Sequence, residues 1–93
     1  MAVRIRFVVK TDSTEPNERI KDVGGINNNG TLWRFSQKAI IEDIEADQYQ
    51  YYVSIDNRTV PVIVAQSHSG KKYLKTELDG EQPDSILNLP SFP

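Results

Sequence analysis

Apolar and polar side chains alternate with a period of two in several short runs along this chain, separated by segments rich in Gly, Asn, Asp, Ser or Pro. That period places successive residues on opposite faces of extended backbone, so each run predicts a short strand with one buried face. Val3, Ile5, Phe7 and Val9 alternate with Arg4, Arg6, Val8 and Lys10, which predicts one strand over residues 3–10. Thr11–Asn17 is polar and contains Pro16, and reads as a loop. Arg19–Val23 reads as a second strand ended by Gly24-Gly25, and Thr31–Phe35 as a third. Asn27-Asn28-Asn29-Gly30 between them tolerates positive φ, so residues 19–35 form a predicted hairpin.

The period changes once. After Ser36, an N-cap residue, Ala39, Ile40, Ile41 and Ile44 recur on one stripe, opposite Lys38, Glu42, Asp43 and Glu45. A helix over about residues 37–46 follows. Glu45 and Asp47 oppose the macrodipole at its end, so packing of the isoleucines must outweigh them. Alternation then resumes over Tyr51–Asp56, with Asp56-Asn57 as a two-residue turn and Arg58–Ala65 as the returning strand. Val60–Ala65 is apolar on both faces, which asks for burial on both sides, whereas Pro61 asks for an edge or a bulge. Ser67–Gly70 makes a turn, Lys71–Leu78 a last strand, and Asp79-Gly80 ends it. Residues 82–93 hold one helical turn at Asp84–Leu87, then Leu89, Pro90 and Phe92, and are expected to dock as a C-terminal tail.

The expected fold is α+β: an antiparallel sheet of five to six short strands with one helix packed on one face. At 93 residues this is a single small domain over residues 1–93. Trp33 is expected to be buried over Ile40 and Ile44, with Phe35 a second core anchor.

Glu18-Arg19-Ile20, Gly24-Gly25-Ile26-Asn27, Gly30, Trp33, Tyr52-Val53 and Val62-Ile63-Val64-Ala65 form a series. Gly70-Lys71-Lys72-Tyr73-Leu74-Lys75-Thr76-Glu77-Leu78-Asp79-Gly80 and Pro83-Asp84 continue it. In this order and spacing the chain resembles the small prokaryotic domain-of-unknown-function family 3892 over nearly its whole length. The resemblance implies a proline-containing tail, and no reaction or ligand. Asp56-Asn57 stands where the resemblance leads one to expect Asn-Gly, and Asp47 where it leads one to expect a helix-ending glycine.

Chemistry is limited by what is missing. The chain has no cysteine and one histidine, which removes disulfides, thiolate nucleophiles and thiolate metal sites. The basic start lacks a continuous apolar run, so no secretory signal is expected, and Val60–Ala65 is far short of a membrane span. A cytoplasmic location without membrane contact is the expectation. His68 sits between Ser67 and Ser69 on a turn, where neighbouring side chains diverge, and no partner acid can be assigned. Glu77, Asp79, Glu81 and Asp84 match no EF-hand spacing and read as a solvated acidic turn. Gly24–Gly30 matches no phosphate-loop spacing and precedes a strand, so it reads as a structural turn. No catalytic residue, metal site or cofactor is expected.

The net charge is −2, but the charges are segregated. Residues 1–11 carry Arg4, Arg6 and Lys10 with no acid; residues 39–56 carry Glu42, Asp43, Glu45, Asp47 and Asp56 with no base. If the first and last strands are neighbours, Arg4, Arg6, Lys71, Tyr73 and Lys75 form a basic face with an aromatic ring. Two readings follow. The first is a non-enzymatic interaction module that binds a protein partner through edge strands or the apolar tail. The alternative is a weak, sequence-tolerant single-stranded nucleic-acid binder that uses the basic face, with Tyr73 stacking.

Overall fold

The structure is a computed structural model that describes residues 2–93; Met1, the first residue of the expected domain, lies outside them. Its first lesson is that the alternation over Val3–Lys10 serves two strands. β1 (Ala2–Arg4) runs parallel to β5 (Gln50–Ile55), while β2 (Phe7–Lys10) runs antiparallel to β3 (Ile20–Ile26). The chain changes sheets at Ile5-Arg6, where Ile5 N–H donates to Tyr52 O at 2.8 Å and Arg6 N–H to Gly24 O at 2.8 Å. The corner also shifts the inward parity. Ile5 and then Val8 are buried at 0% and 1% exposure, while Phe7 and Val9 turn to the opposite face. A shift of three residues is incompatible with one flat strand.

Among the described residues seven strands form two sheets, in a mixed α+β arrangement. The four-stranded sheet has the order β1-β5-β6-β7, with β6 (Arg58–Gln66) and β7 (Lys72–Thr76). The three-stranded sheet has the order β2-β3-β4, with β4 (Leu32–Ser36). The expected single antiparallel sheet is therefore two sheets with one parallel pairing. The hairpins stand where the turns predict them. Asp56 and Asn57 have φ of 50° and 65°, as a two-residue turn with both central residues left-handed requires. Asn27–Thr31 and Ser67–Lys71 close with matching backbone bonds and a left-handed glycine, Gly30 or Gly70. Pro61 is where β6 changes partner: Pro61 pairs with Tyr52 of β5, and the ladder to β7 begins at Val62.

Gly24 and Gly25 do not end β3; they continue it. A side chain on Gly24 would meet Phe92 at 2.5 Å, and one on Gly25 would meet Trp33 Nε1 at 2.6 Å. Two aromatic side chains, Phe92 and Trp33, occupy the space where those side chains would be.

Helix α1 (Gln37–Glu45) begins as expected, with Ser36 Oγ accepting from Ala39 N–H at 3.2 Å. It ends without fraying. Asp47 N–H donates to Ile44 O, Gln48 N–H donates to Asp43 O, and Asp47 takes φ 59°. This is a Schellman closure with aspartate in the glycine position. Ile40 and Ile41 are buried in the core with Val23, Tyr51, Val53, Val62 and Leu74. Gln37 is buried too. Its Nε2 donates to Asn17 O and Ile20 O, and its Oε1 accepts from Leu74 N–H at 2.8 Å. One side chain thus ties the start of β3 to β7 across the two sheets.

The tail docks. Helix α2 (Asp84–Leu87) buries Ile86 and Leu87, and Ser91 bridges Val8 in parallel. Asp79 anchors this turn: Oδ2 accepts from Thr76 N–H and hydroxyl, Oδ1 from Ser85 N–H and hydroxyl. Among the described residues no helix is long and apolar enough to cross a membrane.

Candidate aromatic docking site

The basic face does not assemble. β1 and β7 are the two opposite edges of the four-stranded sheet, with β5 and β6 between them. Arg4 lies on β1, Arg6 at the corner between sheets, and Lys71 just before β7. Arg4 is half-buried, with Nε enclosed and lacking a hydrogen-bond partner among the described residues. Tyr73 is 2% exposed, and its hydroxyl donates to Glu81 O at 2.7 Å. Burial, together with the nearby Glu81 and Asp79 charges, raises its pKa above the ordinary tyrosine value. Lys75 Nζ is turned onto Gly80 O at 3.0 Å. Strand alternation places Tyr73 and Lys75 on one face, and the loop after β7 folds back to cover it. That cover is tertiary and leaves no trace in the spacing.

His68 does find an acid, Glu81, at 3.0 Å between Nε2 and Oε1. With its side chain 92% exposed, however, the imidazole stands in open water. Ser67 Oγ is engaged with Ser69 Oγ and Lys71 N–H. Among the described residues no group of three His, Asp or Glu side chains is placed to hold a metal. The Asn27 and Gly30 amides of the Asn27–Gly30 turn are used to close the hairpin on itself.

A different surface emerges at the outer edge of the three-stranded sheet. β4 has β3 on one side and no strand on the other among the described residues. Counted from the Asn27 N–H to Thr31 O bond, the ladder turns the backbone groups of Leu32 and Arg34 outward, unpaired by β3. Its side chains are unusual for an exposed edge. Leu32 and Phe35 are exposed, Phe35 at 53%, and Trp33 is only half-buried. Trp33 packs on Gly25 and Tyr51, with ring centroids 6.2 Å apart for Trp33–Tyr51. Phe35 is corrected outright, since it stands in solvent; Trp33 does pack against the core but stays half-buried at its margin, because β3, β5, β6 and β7 also cover the isoleucine stripe.

Beside this edge lies an open groove of ≈ 610 Å³ lined by Val3, Asn27, Trp33, Phe35, Ala39, Tyr49 and Tyr51, with Asp43 its one charged side chain. Trp33 and Phe35 centroids are 5.8 Å apart, and those of Tyr49 and Tyr51 6.3 Å apart. Tyr51 OH donates to Asp43 Oδ2 at 2.9 Å. Burial first, then the Asp43 hydrogen bond and charge, raises the Tyr51 pKa far above the ordinary value, so the phenol stays neutral. The lining includes no basic side chain.

A family model described as a protein of unknown function (DUF3892) matches residues 3–90. The chain belongs to the DUF3892 family. No curated protein and no solved structure matches it. The DUF3892 match spans all strands except the first residue of β1, both helices and the whole aromatic groove.

Proposed function

We propose that this DUF3892 protein is a cytoplasmic, non-enzymatic interaction module that accepts an extended segment of a partner protein along the outer edge of β4. The observation that carries this reading is the edge itself: outward backbone groups at Leu32 and Arg34, flanked by exposed Leu32 and Phe35 and a groove with aromatic walls. Exposed flat edges invite strand pairing, and soluble proteins usually blunt them with charge, proline or a covering element. β2, the other edge of this sheet, is so covered by Ser91. β4 is not. In strand addition, main-chain bonds supply affinity and adjacent pockets read alternate side chains.

The test is selection of extended peptides from a random library, followed by amide exchange of the complex. Binders should slow exchange at the Leu32 and Arg34 amides. Leu32→Pro removes one outward N–H, leaves the ladder to β3 intact and should abolish capture. Binders that protect other amides, equal capture by the proline variant, or selective retention of single-stranded oligonucleotide instead would overturn the reading.

A further inference from the structure

The docking reading leaves open which side chain the groove selects. We infer that the chamber walled by Trp33, Phe35, Tyr49 and Tyr51, with Asp43 at its side, receives an organic cation: the ammonium or guanidinium of a lysine or arginine on the docked segment. The inference rests on that reading for the source of the cation, but not for its chemistry.

Three observations converge. The rings are tilted rather than stacked, at 33° for Trp33–Phe35, 55° for Trp33–Tyr51 and 53° for Tyr49–Tyr51, and all four line one open groove. Aromatic faces carry negative quadrupole density, and tryptophan attracts a cation most strongly. The second observation is Asp43. Tyr51 engages only Oδ2, and Oδ1 has no donor among the described residues. Oδ1 is therefore open to accept from a cation entering the chamber, which would also pair with the carboxylate charge. The third is the surrounding charge. The lining has no base, and Glu42, Glu45 and Asp47 share the Asp43 segment with no Lys or Arg between residues 39 and 56. Phosphate would be repelled there. An aliphatic side chain would fill the chamber but leave Asp43 unmatched.

Trp33 is the chain's sole tryptophan, so its emission reports on the chamber directly. The probes are choline and its neutral isostere 3,3-dimethylbutan-1-ol, at constant ionic strength. Choline should give a saturable change and bind at least ~5-fold more tightly than the alcohol, within the range of cation–π recognition. Asp43→Asn keeps an acceptor for Tyr51 and should weaken choline about 5-fold or more. Tyr49→Ala, an exposed position, should weaken it without unfolding. Equal response to both probes, or indifference to both variants, overturns the inference. A second pair of probes separates the two readings: a selected peptide with lysine facing the groove, and the same peptide with norleucine. Equal affinity refutes the cation site and leaves strand docking standing. Choline binding with no peptide binding refutes docking and leaves the cation site standing. A self-associated dimer whose Trp33 no longer responds to choline would refute the cation site and name a second copy as the occupant.

Discussion

Gln37 holds two carbonyls and one amide that no backbone ladder reaches. Its amide nitrogen serves Asn17 O and Ile20 O, and its oxygen caps Leu74 N–H on the outer edge of β7. Unmet buried groups cost about 1–3 kcal/mol each. Gln37→Ala should therefore lower stability by about 2–3 kcal/mol in urea unfolding, a large share of a small domain's total. Gln37→Glu should be worse at neutral pH, because a carboxylate would face both carbonyls. Tyr51 makes an alkaline test at the same scale. Its folded pKa is raised by burial and by Asp43, so its contribution is complete below the ordinary tyrosine value near ~10 and is lost as pH rises beyond it. Tyr51 and Tyr73 should ionise above the ordinary tyrosine range in an ultraviolet titration, and stability should fall through the same alkaline range. Asp43→Asn should bring the Tyr51 transition down.

The elements were legible wherever a local rule decides them. Ser36 and the isoleucine stripe announce α1; Asp56-Asn57 and Asn27–Gly30 announce their hairpins. Two positions carry backbone strain that the sequence flagged as departures. Asp47 and Asn57 both adopt positive φ where glycine is the easy residue. Asp47→Gly should raise stability by a few tenths to about 1 kcal/mol, because relief of left-handed strain and of an acid at the helix end exceeds the added unfolded-state entropy. Asn57→Gly should gain less, since asparagine tolerates this region better. Thermal melts of both variants check the order. The Gly24-Gly25 reading failed because glycine signals a turn locally, whereas here each glycine is a seat for an aromatic ring from a distant element.

On the scale of the whole molecule, the tail and the sheet corner decide the architecture. Phe92 lies edge-on to Phe7 at 5.9 Å between centroids and over Gly24, with the Arg34 guanidinium 5.4 Å from its ring. Val8 N–H donates to Pro90 O and Phe92 N–H to Val8 O, so the tail also closes the β2 edge. Phe92→Ala should cost about 2 kcal/mol, less than a fully buried phenylalanine because the ring is only half enclosed. Its effect should appear as a lower urea midpoint and faster exchange at Val8.

Period, caps and turn residues were sufficient by themselves for the α+β class, the helix and its N-cap, three hairpin turns and the helical turn of the tail, because each depends on a few neighbouring residues. The parallel β1–β5 pairing, the change of sheet at Ile5-Arg6, the burial of Tyr73, the half-burial of Trp33 and the exposure of Phe35 were decided only by tertiary structure. Each depends on which distant segment covers which face, and one strand's alternation is the same whether its apolar side meets a core, a folded-back loop or an open groove.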